Sequence, residues 1–116
     1  MLTLPIKKKW FDMIKSGEKK EEYREIKPYW FIRFKNNLKV YEYDWLGDSV
    51  EISKGKGSVI FKNGYQKNAP KIKCEIEITT GYGKKEWGAK LSELYYVLKI
   101  LSVEEMIWII VIMMKL

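Results

Sequence analysis

The feature that most restricts the fold is a short segment in which apolar and charged side chains alternate. Ile72, Cys74, Ile76 and Ile78 occupy every second position, with Lys73, Glu75 and Glu77 between them. Successive side chains of a β-strand point to opposite faces of a sheet, so this spacing predicts a strand with one buried and one solvated face. Because Cys74 lies on the apolar face, we expect it to be a small core residue rather than a nucleophile.

Other local patterns predict further strands and two helices. The predicted elements are a strand at 2–6, a helix from Lys8 to Ser16, a second helix from Pro28 to about Asn37, and a strand at 59–61 followed by a turn at Asn63–Gly64. Gly17 can adopt the left-handed conformation that ends a helix, and Pro28 lacks the N–H that the first position of a helix leaves unpaired. A chain of 116 residues is long enough to bury one core, so we expect one domain.

Three segments have less regular patterns. Residues 41–58 combine glycines with mixed charges, which predicts a loop with at most one short strand at 50–52. Residues 94–101 have leucines at helical spacing, but their β-branched and aromatic content favours a strand. The apolar run 106–114 is far shorter than the roughly 20 residues that span a bilayer. It predicts either a final buried strand or a self-association surface.

Composition excludes several classes of site. The chain has no histidine, which rules out Ser-His-Asp and Cys-His catalysis and any His-ligated zinc or iron site. Its single cysteine rules out an intramolecular disulfide and a multi-Cys metal site, so we expect no metal and no cofactor. The cysteine content is typical of a reducing compartment, and the N-terminal residues lack the apolar stretch of a signal peptide. These observations predict a cytoplasmic protein without membrane association.

The segment Gly17–Arg24 concentrates cations and carboxylates directly after the predicted first helix. In an extended strand Glu22 and Arg24 lie on one face, and Lys19 lies on the opposite face unless a turn or bulge redirects it. A carboxylate two residues from an arginine can hold the guanidinium as a flat donor for a phosphate or a base edge. The alternative is that these charges are merely solvated. The net charge of +7 agrees with an anionic partner without requiring one.

The pattern Gly-x-Lys-x-x-Glu-x-Arg in Gly17–Arg24 resembles the signature of the ASCH (activating signal cointegrator homology) family. Similarity to small bacterial and phage members extends to Leu4–Lys7, Trp10, Ile14, Phe61–Tyr65, Trp87–Gly88 and Tyr95–Ile100. The resemblance implies a PUA-like α+β fold, a mixed β-barrel of five to six strands flanked by two or three short helices. It implies a domain at 3–101 and leaves 102–116 as an apolar C-terminal extension that it does not cover.

The resemblance also implies that the motif lines a cleft for RNA or a nucleotide. Carried over to this chain, Lys19 and Arg24 hold phosphate or sugar, and Glu22 orients them. Lys7 precedes the first helix and Trp30 lies in the second, so both are candidates for the same cleft. Trp30 either stacks on a base or fills the core.

Two other functions stay open. One branch of the superfamily hydrolyses the amide of acetylcytidine with a threonine at the position of the motif glutamate. Here that position is Glu22, and a carboxylate is a poor substitute for a hydroxyl nucleophile. A hydrolase of modified nucleosides or RNA would instead use Lys19 and Glu22 for acid–base chemistry. The third interpretation is a protein-interaction module that forms a homodimer through the apolar run within 106–116.

Overall fold

A computed structural model describes residues 1–105, which contain two α-helices, one short 3-10 helix and six β-strands. In chain order these are β1 (Leu2–Ile6), α1 (Lys8–Lys15), β2 (Glu21–Glu25), α2 (Pro28–Asn37), β3 (Lys39–Leu46), β4 (Ser49–Asn63), β5 (Lys71–Tyr82), the 3-10 helix (Lys85–Trp87) and β6 (Leu94–Glu105). The strand at 2–6 and the two helices predicted from the sequence are confirmed. Within the described range no helix combines the length and the apolar character needed to cross a membrane.

The six strands form one mixed sheet that curls into a half-barrel. Along the sheet the order is β1-β4-β5-β6-β2, and β3 pairs with the first half of β4. β1 runs parallel to β4, and the other pairings are antiparallel. The predicted α+β fold, a mixed barrel-like sheet flanked by short helices, is therefore confirmed.

β5 lies in the middle of the sheet and carries the alternating pattern. Its apolar residues Ile72, Cys74, Ile76 and Ile78 are each at most 1% exposed. Burial raises the pKa of the Cys74 thiol to about 12, so the thiol stays protonated at neutral pH. Cys74 is therefore a core residue, as its position in the alternation predicts.

The two α-helices pack against the sheet through short apolar stripes. Phe11 and Ile14 of α1, and Phe31 and Phe34 of α2, are buried in the main core. Gly17 follows α1 with a φ of +85°, a left-handed conformation for which glycine is suited. The chain turns there, and this turn leads from α1 to the start of β2.

The loop predicted for residues 41–58 is wrong, because this part of the chain lies almost entirely in the β3–β4 hairpin. Gly55 and Gly57 lie inside β4. A Cβ on Gly55 would lie 2.7 Å from Ile78, and one on Gly57 would lie 2.6 Å from Leu38. These glycines therefore permit close packing within the strand instead of breaking it.

Residues 94–101 form a strand, which confirms the favoured alternative. This strand, β6, pairs with both β2 and β5 and continues to Glu105. It therefore runs through the boundary predicted between a domain at 3–101 and an extension at 102–116. The final strand or self-association surface predicted for the apolar run 106–114 lies outside the described residues.

Candidate functional site

A cleft of about 990 Å³ lies between the N-terminal elements of the fold. Its lining comes from β1 and the start of α1, from β2, from the first two turns of α2, from short segments at 64–65 and 87–88, and from Tyr95 of β6. The charged lining residues are Lys7, Lys8, Glu22, Arg24, Glu25 and Arg33, and Trp30 is among the aromatic ones. Four of the five predicted site residues thus line one cleft, whereas Lys19 does not.

The turn after α1 decides where Lys19 points. Lys19 lies two residues before β2, and its backbone N–H donates to the carbonyl oxygen of Met13 at 2.9 Å. The alternation of side chains in a strand therefore does not apply to Lys19. Its Nζ lies 3.2 Å from Glu22 Oε1, so the turn redirects the side chain toward the carboxylate.

The Lys19 ammonium is buried among protein groups. The residue is 1% exposed, and Nζ donates to the carbonyl oxygen of Trp87 at 2.6 Å. The ring centroids of Trp10 and Tyr23 lie 4.7 and 5.0 Å from Nζ. Burial lowers the pKa of Lys19, and the Glu22 carboxylate opposes this shift. Lys19 therefore connects Glu22 to the last residue of the 3-10 helix and does not itself face the cleft.

Glu22 joins two cations. Its Oε1 faces Lys19, and its Oε2 accepts a hydrogen bond from Arg24 Nη1 at 2.8 Å. Arg24 Nη1 also donates to the carbonyl oxygen of Tyr23 at 2.8 Å, and Nη2 donates to that of Pro5 at 3.5 Å. These contacts confirm that Glu22 and Arg24 pair, and they hold the guanidinium in one orientation at the cleft. We call Lys19, Glu22 and Arg24 the charged triad.

Trp30 belongs both to the core and to the cleft. Its indole packs against Phe34 with ring centroids 5.8 Å apart and an interplanar angle of 22°. It also lines the cleft, where the Arg24 guanidinium carbon lies 5.2 Å from the indole centroid. The two predicted roles of Trp30 are therefore compatible, because core packing leaves part of the side chain at the cleft.

Two cations of the cleft, Lys7 and Arg33, form no ion pair with any residue in 1–105. Lys7 is exposed and directly precedes α1. Arg33 was not predicted from the sequence, and its guanidinium carbon lies 5.4 Å from the Tyr29 ring centroid and 5.8 Å from that of Trp30. Arg33 lies four residues after Tyr29 and three after Trp30, and residues at these spacings share one side of a helix. The sequence signal that could have identified Arg33 is this helical spacing.

Tyrosine hydroxyl groups hold the segment 83–93 against the sheet. Tyr23 Oη accepts a hydrogen bond from the Lys84 N–H at 2.9 Å, and Tyr95 Oη accepts one from the Lys90 N–H at 2.9 Å. Both tyrosines lie in sheet strands and are buried. This side of the cleft is therefore a fixed part of the fold and not a loosely attached loop.

Comparison with known proteins does not assign this chain to a family. No protein-family model, no curated protein and no solved structure matches it. Membership of the ASCH family therefore stays a prediction from the motif. The function has to be argued from the geometry and charge of the cleft.

Proposed function

We propose that the chain binds RNA or a nucleotide in this cleft. The observation that supports the proposal is that one cleft combines two cations lacking ion-pair partners in 1–105, Lys7 and Arg33, with the aromatic rings of Tyr29 and Trp30. A nucleotide has an anionic phosphate and a flat base, and these two kinds of side chain suit its two parts. The volume of about 990 Å³ is large enough for a ligand of this size.

The charge balance of the cleft favours an anion. Both of its carboxylates already have cationic partners: Glu22 contacts two members of the charged triad, and Glu25 pairs with Lys27 at 2.8 Å. An anionic ligand therefore meets cations whose charge is not neutralised by the protein. The net charge of +7 adds a longer-range attraction for nucleic acid.

The charged triad has a different role from the other cations. Lys19 is not part of the cleft lining. It therefore acts indirectly, by holding Glu22, which in turn orients Arg24. The Arg24 guanidinium lies near the Trp30 indole, and bases stack on guanidinium planes as they do on aromatic rings. This arrangement suits contact with the base or the sugar.

Binding measurements at two ionic strengths test the proposal. Labelled single-stranded RNA and the four ribonucleoside monophosphates are titrated with protein at about 50 and about 200 mM salt. We expect the affinity for RNA to fall steeply with salt, because phosphate contacts release counterions. We also expect Lys7→Gln and Tyr29→Ala to weaken binding.

Two matched variants serve as controls for this experiment. Lys54→Gln removes an exposed charge from β4, and Tyr82→Ala removes a tyrosine that is 68% exposed, both outside the cleft lining. Neither should change binding. Absence of binding to all probes at low salt, or equal losses in the cleft and control variants, would contradict the proposal.

A hydrolase acting on modified nucleosides or RNA is the second candidate function. The observation in its favour is that Glu22 lines the cleft beside Lys19, whose pKa is lowered mainly by burial. Shifted pKa values are common at catalytic sites. Incubation with acetylcytidine and with labelled RNA, followed by chromatography, tests this function. Product that disappears in Glu22→Gln, with the variant shown to be folded by circular dichroism, would favour this function. Unchanged substrate with the wild type would exclude it for these compounds.

A further inference from the structure

Two guanidinium groups lie near the Trp30 indole, and they differ in their partners. The guanidinium carbons of Arg24 and Arg33 lie 5.2 and 5.8 Å from the indole centroid, and both residues line the cleft. Arg24 donates to the Glu22 carboxylate and to two backbone carbonyl oxygens. Arg33 pairs with no carboxylate in the described part of the chain. A ligand anion therefore meets less competition at Arg33.

The Nε–H of Arg33 is a second sign that this side chain lacks an acceptor. This nitrogen is buried and has no hydrogen-bond partner within residues 1–105. A buried donor without an acceptor is unfavourable, because its hydrogen bonds with water are lost and not replaced. An anion in the cleft that came within hydrogen-bond distance of this side chain would supply the missing acceptor. The unpaired Nε–H therefore favours an anion-bound arrangement of Arg33.

The aromatic neighbours of Arg33 hold the guanidinium without neutralising it. The Tyr29 and Trp30 ring centroids lie 5.4 and 5.8 Å from its Cζ atom. Cation–π contacts stabilise the position of a guanidinium but do not satisfy its N–H donors. Those donors form a planar fork that matches two oxygens of a phosphate group.

We propose that Arg33 binds the phosphate of a nucleotide held in the cleft, so that the cleft prefers a phosphorylated nucleotide, free or within RNA, to a nucleoside. This assignment rests on the proposed function and divides the cleft into two parts. Arg24 and Trp30 face the base or sugar, and Arg33 faces the phosphate.

Ligands that differ only in the phosphate test the assignment. Wild-type protein and Arg33→Gln are titrated calorimetrically with the four ribonucleosides, their 5′-monophosphates and a short single-stranded RNA without terminal phosphates. We expect the wild type to bind a monophosphate about tenfold more tightly than its nucleoside, as a charge-assisted contact provides. In Arg33→Gln this preference falls to a small fraction of that value, and the affinity for the nucleoside is unchanged. A loss confined to monophosphates identifies a phosphate monoester at Arg33, and an equal loss for RNA identifies a phosphodiester.

Two further variants separate binding from net charge and from folding. Lys54→Gln removes the same charge outside the cleft and should keep the full phosphate preference. Arg33→Lys keeps the charge without the planar fork, and we expect an intermediate preference. Gln, Lys and Arg have similar helix propensities, so α2 should tolerate both substitutions. Thermal unfolding checks this, and if Arg33→Gln does not fold, a preference in Arg33→Lys equal to that of the wild type overturns the assignment.

The failures of the two proposals are distinguishable. A phosphate preference that survives in Arg33→Gln overturns the assignment and leaves the proposed function intact. Equal wild-type affinities for nucleosides and monophosphates have the same consequence. Absence of wild-type binding to every nucleoside, nucleotide and RNA contradicts the proposed function, and the assignment with it.

Discussion

The charged triad and a second group of cleft residues use similar side chains in opposite ways. We call Lys7, Tyr29 and Arg33 the open rim. In the triad, the Lys19 and Glu22 side chains are 0% and 7% exposed, and they pair with each other. In the open rim, Tyr29 is 60% exposed and the two cations have no carboxylate partner within residues 1–105.

The comparison separates residues that stabilise the structure of the cleft from residues that are available to contact a ligand. A buried charge has to be paired, because the loss of hydration is large, and a paired charge is then less available to a ligand. An exposed charge such as Lys7 has no such requirement, and the partly buried Arg33 keeps an Nε–H that is unpaired within the described residues and that an anion can accept from. The motif Gly17–Arg24 therefore supplies much of the framework of the cleft, and the residues best placed to meet an anion come from outside it.

The largest expected effect is on stability and comes from breaking the triad. Glu22→Gln leaves the buried Lys19 ammonium next to Arg24 without a counter-charge, and we expect it to lower the free energy of unfolding by about 3 kcal/mol. Urea denaturation measures this. Glu25 lies on the same strand as Glu22 and forms an exposed pair with Lys27, so Glu25→Ala is the control and should have a much smaller effect. Equal losses in the two variants would contradict the distinction between the triad and exposed pairs.

A smaller loss of stability should follow from disturbing the segment 83–93, which packs against Tyr23 beside the triad. A Cβ on Gly83 would lie 2.6 Å from Ala89 and 2.7 Å from the Tyr23 ring, so we expect Gly83→Ala to destabilise the fold by about 2 kcal/mol. At Gly81 the nearest atom would be 3.9 Å away, and Gly81→Ala is the matched control. Thermal unfolding of the two variants compares them. Equal stability would show that the segment 83–93 yields to the added methyl group.

The buried interior should also affect how the stability of the fold responds to alkaline pH. The Cys74 thiol loses its proton near its usual pKa of 9.0 in the unfolded chain and near 12 in the folded chain. Between these values the unfolded chain binds fewer protons, so the free energy of unfolding falls as the pH rises. From about pH 9 to about pH 10 we expect the fall to be about 1 kcal/mol greater in the wild type than in Cys74→Ala.

Leu91→Ala is the control for the alkaline measurement and should show the wild-type fall, because Leu91 is 92% exposed and its side chain carries no titratable group. The lowered pKa of Lys19 acts in the opposite direction, because the unfolded chain then binds the additional proton. This contribution is shared by all three proteins, so the comparison isolates Cys74. Identical pH profiles for the wild type and Cys74→Ala would contradict the burial of an un-ionised thiol.

The smallest stability change is expected at the open rim. Lys7→Gln should change the free energy of unfolding by less than about 0.5 kcal/mol, because the side chain is exposed and unpaired within residues 1–105. It should nevertheless reduce the salt dependence of RNA binding by about one counterion. Chemical denaturation and binding at several salt concentrations measure the two effects. If Lys7→Gln caused a large loss of stability and left RNA binding unchanged, Lys7 would support the fold and would not contact the ligand, which contradicts the distinction between triad and rim.

Local patterns were enough to predict the regular parts of the fold. The alternation around Cys74, the glycine after α1 and the proline at the start of α2 each act within a few residues. The pairing of Glu22 with Arg24 was predictable for the same reason, since both lie on one strand two positions apart. Such features depend on backbone geometry that neighbouring residues share.

The β3–β4 hairpin was not predictable in this way. Glycines such as Gly55 and Gly57 are typical of turns. Only the close packing of Ile78 and Leu38 against them explains why they lie inside a strand. Those contacts join residues that are distant in the chain. Composition therefore indicated a loop where packing required strand glycines.

The sequence by itself determined the α+β character, the buried face of β5 and the presence of an anion-attracting charge. Only the tertiary structure decided that Lys19 is enclosed while Lys7 and Arg33 lack carboxylate partners in the described chain. The physical reason is that burial and pairing depend on groups brought together from the turn before β2, from β2 and α2, and from the 3-10 helix. Whether a lysine or arginine stabilises the cleft or is available to contact a ligand therefore depends on the neighbours that folding places around it.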